Sequence, residues 1–308
     1  MNRGVSGAGS CPGRGGPLPM ENAMRQWPLC LNTSTIRPAD LLEKIDIAAR
    51  TGYSAIELWT EELTRFEQSG RSLDELRRIL EDSGLAVASV ITLTDWMQSR
   101  GFHKQAAYSE ARRRLEQAAA VGAAHIVASP VPDAPHLDIP LAAARYRELL
   151  EEGEALGVRP AMEFLGFQHN VYQLEQALAI VQQAGHPHGC LVLDPFHLHR
   201  GGSGFGGLKD LSAAAIAVCH FNDAPASPPQ FAQTDADRVY PGDGILPLKA
   251  FLRDLDAIGY EGFLSLELFN PRYWTGDLEE VARTGMGKTE AVIRAAGQFG
   301  PDPEAASS

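Results

Sequence analysis

The sequence is poor in cysteine, and the four it has, at positions 11, 30, 190 and 219, form no Cys-x-x-Cys pair and no regular framework. A disulfide scaffold is therefore excluded. The thiols read as reduced and buried, as in a cytoplasmic protein. No run of about eighteen or more apolar residues occurs, which excludes a membrane-spanning helix as a partner of lipid. Positive charge is also short: 27 Lys and Arg stand against 39 Asp and Glu, a formal charge of −12. An acidic chain repels phosphate backbones, so nucleic acid is not an expected partner. Finally, no Gly-rich turn follows the first apolar run, which counts against an open dinucleotide-binding sheet.

What is present is near the globular average, 44% hydrophobic and 21% charged over 308 residues. Residues 1–26 are rich in Gly and Pro and lack the apolar middle of a secretion signal, so they read as a flexible leader, with Met20 and Met24 as alternative starts. Residues 298–308 read as a disordered tail. Between them, short apolar runs alternate with longer amphipathic stretches. The runs are 28–32, 54–58, 85–91, 124–129, 158–164, 190–194, 216–221 and 263–269, mostly apolar throughout, as strands buried on both faces should be. Helical spacing marks 40–51, 72–83, 104–121 and 139–156; Ser72 with Glu75 suggests a capping box. Gly52, Gly84, Gly122, Gly157, Gly185 and Gly259 each precede a strand, where a helix ends in a left-handed residue. Eight such units over 27–297 predict a single-domain α/β protein, a (β/α)8 TIM barrel, with its chemistry at the C-terminal ends of the strands.

Those strand ends carry charge. Glu57 ends the second run, Glu163 the fifth and Asp194 the sixth; His220 lies in the seventh and Glu267 in the eighth. An isolated buried carboxylate is costly, so such acids are normally paired or metal-bound. A single acid at a strand end is more often a helix cap or an ion-pair partner, and for Asp194 the following Pro195 makes the cap a direct competitor. Four polar ends in successive strands favour a shared cation instead. Three carboxylates and an imidazole suit one divalent ion, with Mn²⁺ as the first expectation and Mg²⁺, Co²⁺ or Zn²⁺ as alternatives. His197 and His199 read as loop residues before GGSG, with His197 able to reach a substrate hydroxyl. Arg238, in a polar loop after the seventh strand, reads either as a clamp on a substrate oxygen or as a surface ion pair with Asp235 or Asp237. Trp59, Trp96, Phe167, Tyr273 and Trp274 follow strand ends and are candidates to wall a pocket.

The segments AMEFLG, LVLDPFHLH, VCHFND, DRVYPGDG and LSLELFNPRYW together resemble the xylose isomerase-like sugar phosphate isomerase/epimerase superfamily. Within it they are most similar to the 2-keto-myo-inositol (inosose) isomerases. The resemblance implies that Glu163, Asp194, His220 and Glu267 bind one metal ion and that Glu163 and Glu267 form an acid/base pair. It further implies substrate contacts from His197, Arg238 and Glu57. The expected reaction moves a carbonyl, or inverts a centre, in a small-molecule keto-polyol or ketose, an inosose first, through an enediolate. The same intermediate serves a dehydratase or lyase acting on an inosose, a dehydroshikimate or a keto-glycoside. An abasic-site endonuclease of related fold is disfavoured by the charge, and a non-catalytic sugar-binding barrel by the intact ligand set. A homo-oligomer is compatible with all of these readings. Phe167-Gln168-His169 and Asn270-Pro271-Arg272 occupy the loops that would choose the substrate.

Overall fold

The computed structural model describes residues 24–130 and 137–298. Most of the expected leader, with Cys11, and all but the first residue of the expected tail lie outside the described residues. Eight parallel strands pair in sequence order and close on themselves, β1 with β8. They are β1 (Leu29–Asn32), β2 (Ala55–Trp59), β3 (Ala86–Leu93), β4 (His125–Ala128), β5 (Arg159–Met162), β6 (Cys190–Leu193), β7 (Ile216–Phe221) and β8 (Leu264–Leu266). Around them run α1 (Leu41–Thr51), α2 (Thr60–Gln68), α3 (Leu73–Asp82), α4 (Gly101–Ala120), α5 (Ile139–Leu156), α6 (Leu174–Ala184), α7 (Pro195–Gly201), α8 (Leu248–Ala257) and α9 (Leu278–Gly297).

The pattern in the sequence explains most boundaries. Gly52 and Gly157 end α1 and α5 at φ of 93° and 71°, a region that costs a residue with a Cβ. Ser72 caps α3 by accepting from the backbone N–H of Glu75 at 3.2 Å. The return half of the expected capping box is not made, because the Glu75 carboxylate binds the Arg71 guanidinium instead. Five of the strands, β1, β4, β5, β6 and β8, are shorter than their apolar runs. β5 ends at Met162, although Glu163 still donates its N–H to the Ala128 carbonyl at 3.2 Å. The loop expected around His197 and His199 is a correction: both lie in α7, which opens at Pro195 with Asp194 as its cap.

Side chains alternate along each strand, so residues two apart share a face. Ala161, Val192 and Val218, two residues before Glu163, Asp194 and His220, belong to one compact apolar cluster with Val127 and Ile91. This cluster floors the barrel beneath the polar strand ends. The facing helices supply the larger outer core. Cys30, Cys190 and Cys219 are free and buried. Among the described residues, no helix is long and apolar enough to cross a membrane.

Candidate metal centre

At the C-terminal mouth, β5, β6, β7 and β8 deliver Glu163, Asp194, His220 and Glu267, all buried. One donor atom each from Asp194, His220 and Glu267 lies within 4.8 Å of the others, the spacing a single ion can span. The His220 imidazole is the centre of the group. Its Nδ1 stands 3.0 Å from Glu267 Oε2, 3.4 Å from Glu163 Oε1 and 3.7 Å from Asp194 Oδ2. Its Nε2 faces Glu57 Oε2 at 3.3 Å. Neither ring nitrogen makes a hydrogen bond of acceptable geometry despite full burial.

Each carboxylate is held from behind. Asp194 Oδ1 caps α7 by accepting from the N–H of Phe196 at 2.7 Å and His197 at 3.3 Å, which leaves Oδ2 facing His220. Asn222 Nδ2 donates to both its oxygens. Glu163 accepts from the Ser129 hydroxyl at 3.1 Å, and Glu267 accepts from Asn32 Nδ2 at 3.0 Å. Asn32, Ser129 and Asn222 were missed in the sequence. Asn32 and Asn222 stand at or just beyond strand ends like the acids, and only their neutral charge hid them.

Glu57 is fully buried and sits behind His220 rather than at the open mouth. Ser89, Ser265 and Asn32 all donate to it. The sequence suggests a substrate contact from Glu57; the structure places it at full burial, against His220 Nε2. Of the two readings of Arg238, the structure shows the ion pair with Asp235, although the residue is buried rather than on the surface. Its guanidinium pairs with Asp235 at 2.6 Å and also donates to Asp194 Oδ2 at 2.9 Å and Glu267 Oε2 at 2.6 Å. Phe196 and Phe269 flank it. His197 accepts the Gly166 N–H at Nδ1 over 3.2 Å, and its Nε2 stands 3.0 Å from Arg238 Nη2. Only glycine fits at 166, since a Cβ there would lie 2.6 Å from Gly201 N.

The aromatic residues divide. Trp59 and Phe269 pack edge to face at 5.9 Å beside the mouth, and Phe167 lies 5.4 Å from the His197 ring. Trp274 and Phe167 line a second hollow that also includes Asp235. Trp96 is core, its indole donating to the Ser129 carbonyl, and Tyr273 packs on Tyr240.

Electrostatics follow from burial and neighbours. Burial disfavours a charged His220, but the Glu267 and Glu57 carboxylates outweigh it and raise its pKa well above the usual range. Burial pushes the Glu163 carboxyl up. Burial acts the same way on Asp194, where the Arg238 guanidinium outweighs it and holds the carboxyl far below its ordinary value. His197 is driven down to about 4, chiefly by burial, and is neutral at physiological pH. Within the cluster, four carboxylates face the Arg238 guanidinium and the His220 imidazole, so negative charge is in buried excess. A divalent cation at His220 Nδ1 would offset most of it. The donor set therefore fits a metal.

A family model described as xylose isomerase-like TIM barrel matches residues 45–292. The chain belongs to that family. An inosose isomerase of Bacillus velezensis is 31% identical over 274 residues, 86% of this chain and 96% of that protein. A 3-dehydroshikimate dehydratase of Pseudomonas aeruginosa is 28% identical over 232 residues, 75% of this chain but 36% of that protein. The crystal structure of the IolI protein with a bound zinc atom superposes at a TM-score of 0.81 with 28% identity, covering 88% of this chain and 99% of the other. This xylose isomerase-like barrel thus has isomerases and dehydratases among its relatives.

Proposed function

We propose that the protein is a divalent-metal-dependent isomerase or epimerase of a cyclic keto-polyol or ketose, with an inosose as the first candidate. The observation that carries this reading is the placement of Glu163 and Glu267. They come from β5 and β8, yet both bring an oxygen within 3.4 Å of one imidazole nitrogen. Two carboxylates converging on one metal position can flank a small substrate held there.

Glu163, Asp194 and Glu267 with His220 Nδ1 would hold the ion, Mn²⁺ by preference and Zn²⁺ as the alternative that the IolI structure supports. Bound there, the ion supplies a Lewis acid that makes the hydrogen beside a carbonyl more acidic. One of Glu163 and Glu267 takes that proton from carbon as general base. Return of the proton to the neighbouring carbon moves the carbonyl; return to the same carbon from the opposite face inverts the centre. His197, neutral, contacts a substrate oxygen. Arg238, anchored by Asp235, clamps a second oxygen and limits the charge that builds there. Glu57 orients His220 through Nε2, as partner carboxylates do for metal-binding histidines.

The lyase reading shares every step up to proton removal and is supported by the dehydratase relative. Product identification by NMR, with the metal-loaded protein and a panel of inososes and ketoses, separates the two. Interconverted isomers of unchanged mass support the proposal; products lighter by water support the lyase. We further take the protein to act in the cytoplasm, in inositol catabolism, on a small molecule and without nucleic acid.

A further inference from the structure

Glu163 and Glu267 differ in what holds them. Glu267 leans on two groups that can only donate, the Asn32 amide N–H and the Arg238 guanidinium. On Glu163 that part falls to a hydroxyl. Ser129 Oγ donates to Oε2 at 3.1 Å, while Oε1 faces His220 Nδ1 at 3.4 Å. One oxygen is thus turned to the ion position and the other is held on the β4 side.

Ser129 is itself backed by a second hydroxyl, with Thr92 Oγ1 2.8 Å from its oxygen. An ionised Glu163 only accepts, so the Ser129 proton goes to it and Thr92 supplies the proton of the second contact. The sheet departs from regularity where this contact is made. Successive side chains of a strand take opposite faces, and Ile91 already belongs to the apolar barrel floor. A regular β3 would therefore turn Thr92 outward. Instead, Ile91 pairs with Val127 and Leu93 with Ala128, so Thr92 is one residue more than β4 can match. A bulge of this kind re-aims a side chain. Here it brings a half-buried hydroxyl onto Ser129, with the Val127 carbonyl 3.0 Å away as a second acceptor. Both backbones are fixed. The Ser129 N–H donates to the Leu93 carbonyl at 3.1 Å, and the Trp96 indole donates to the Ser129 carbonyl at 2.9 Å. The Arg114 guanidinium, paired with Glu110, donates to the Thr92 carbonyl.

We propose that Ser129 and Thr92 are positioning residues for Glu163: the hydroxyl pair holds Oε2, so that the carboxylate meets the ion through Oε1 alone and keeps Oε2 for the proton it takes from substrate carbon and returns. A carboxylate oxygen has two lone pairs, so Oε2 accepts from Ser129 and still has one for that proton. The inference rests on the acid/base role proposed for Glu163, but the orientation of the carboxylate is observable without turnover.

Crystal structures of the Mn²⁺-loaded wild type and Ser129→Ala test the orientation. The wild type should show one Glu163 oxygen on the ion and the other on Ser129. In Ser129→Ala the released carboxylate should turn and bring both oxygens onto the ion. Two bound oxygens in the wild type, or a Glu163 in Ser129→Ala that still offers one, overturns the proposal. Turnover of the Mn²⁺-loaded protein over a panel of inososes and ketoses tests the consequence. Ser129→Ala should lower kcat by about ten- to a hundredfold, the worth of a hydrogen bond to a charged group, with KM and Mn²⁺ affinity little changed. Thr92→Val, which keeps the shape and removes the hydroxyl, should lose about two- to tenfold, and Thr92→Ser should recover most of that. The Ser129→Ala/Thr92→Val double variant should be no slower than Ser129→Ala, because Thr92 acts through Ser129. An unchanged kcat in Ser129→Ala, a loss that lies in Mn²⁺ affinity instead, or additive losses in the double variant overturns the positioning role. A wild type that turns over none of these compounds removes the reaction assigned above, while the two crystal structures still decide how Glu163 is held.

Discussion

The His220 imidazole is held between two carboxylates, with Nε2 3.3 Å from Glu57 and Nδ1 3.0 Å from Glu267. The first is fully buried behind the ring, where Ser89, Ser265 and Asn32 donate to it; the second faces the mouth. On the function proposed above, Glu57 orients the metal-binding histidine.

Glu57→Gln should therefore weaken metal binding by about 10- to 100-fold, the usual effect of losing a carboxylate behind a metal-binding histidine. Competition against a chromophoric chelator measures this directly. An unchanged far-ultraviolet circular dichroism spectrum would show that the barrel survives. Unaltered affinity would remove the orienting role.

Glu163→Gln and Glu267→Gln should each lower kcat by about 10²- to 10⁴-fold, the span expected for loss of a general acid or base. Each should also weaken metal binding, because both oxygens face the ion position. Metal content is therefore measured alongside turnover, and the rates are compared at saturating metal. Full turnover in both variants would contradict the acid/base pairing.

Much of this centre was legible in the chain because two periodicities coincide. Apolar strand runs ended in single polar residues, and Gly52, Gly157 and their counterparts marked where each helix handed over to the next strand. Asp194 shows the limit. Its sequence context made cap and ligand look like rivals, whereas its two oxygens allow both at once. Arg238 lies in a polar segment that suggested the surface, and only its packing against Phe196, Phe269 and the Asp194 and Glu267 carboxylates buries the guanidinium. Glu57 was found as a polar strand end, but whether it faced substrate or His220 depended on depth in the barrel, which spacing along the chain does not encode. The buried ion pair of Lys44 with Glu62 was invisible for a similar reason: each residue looks like an ordinary charge on an amphipathic helix until α1 and α2 are packed together.

The buried Lys44–Glu62 pair gives a stability prediction. Lys44→Met leaves the Glu62 carboxylate buried without its cation and should cost about 3–5 kcal/mol. Adding Glu62→Gln should recover most of that loss, since a neutral amide oxygen can still accept from Thr33 and the Trp59 N–H. Urea denaturation of the two variants checks this. Equal stability of the single and double variants would contradict it.

His125, at the start of β4, should make stability depend on pH. Burial, with a smaller effect from Arg159, lowers its folded pKa to about 4. In the unfolded chain the ring titrates near its ordinary value, about 6.5. Between these values the unfolded state binds a proton that the folded state resists, so stability falls as pH drops through that window and levels off below it. The loss attributable to this ring is on the order of 3 kcal/mol. His125→Gln should flatten the profile of thermal midpoint against pH over that window, and an unchanged slope would assign the effect elsewhere.

The central claim is that carboxylates beside a metal remove and return a proton on a carbon next to a carbonyl. Incubation of the metal-loaded protein with inosose in D₂O, followed by NMR and mass spectrometry, tests it most directly. The account predicts metal-dependent deuterium incorporation at that carbon in substrate or isomer, with mass otherwise conserved and with exchange lost in Glu163→Gln and Glu267→Gln. Isomerisation without any deuterium entering, or exchange that persists after the metal is removed, would contradict it.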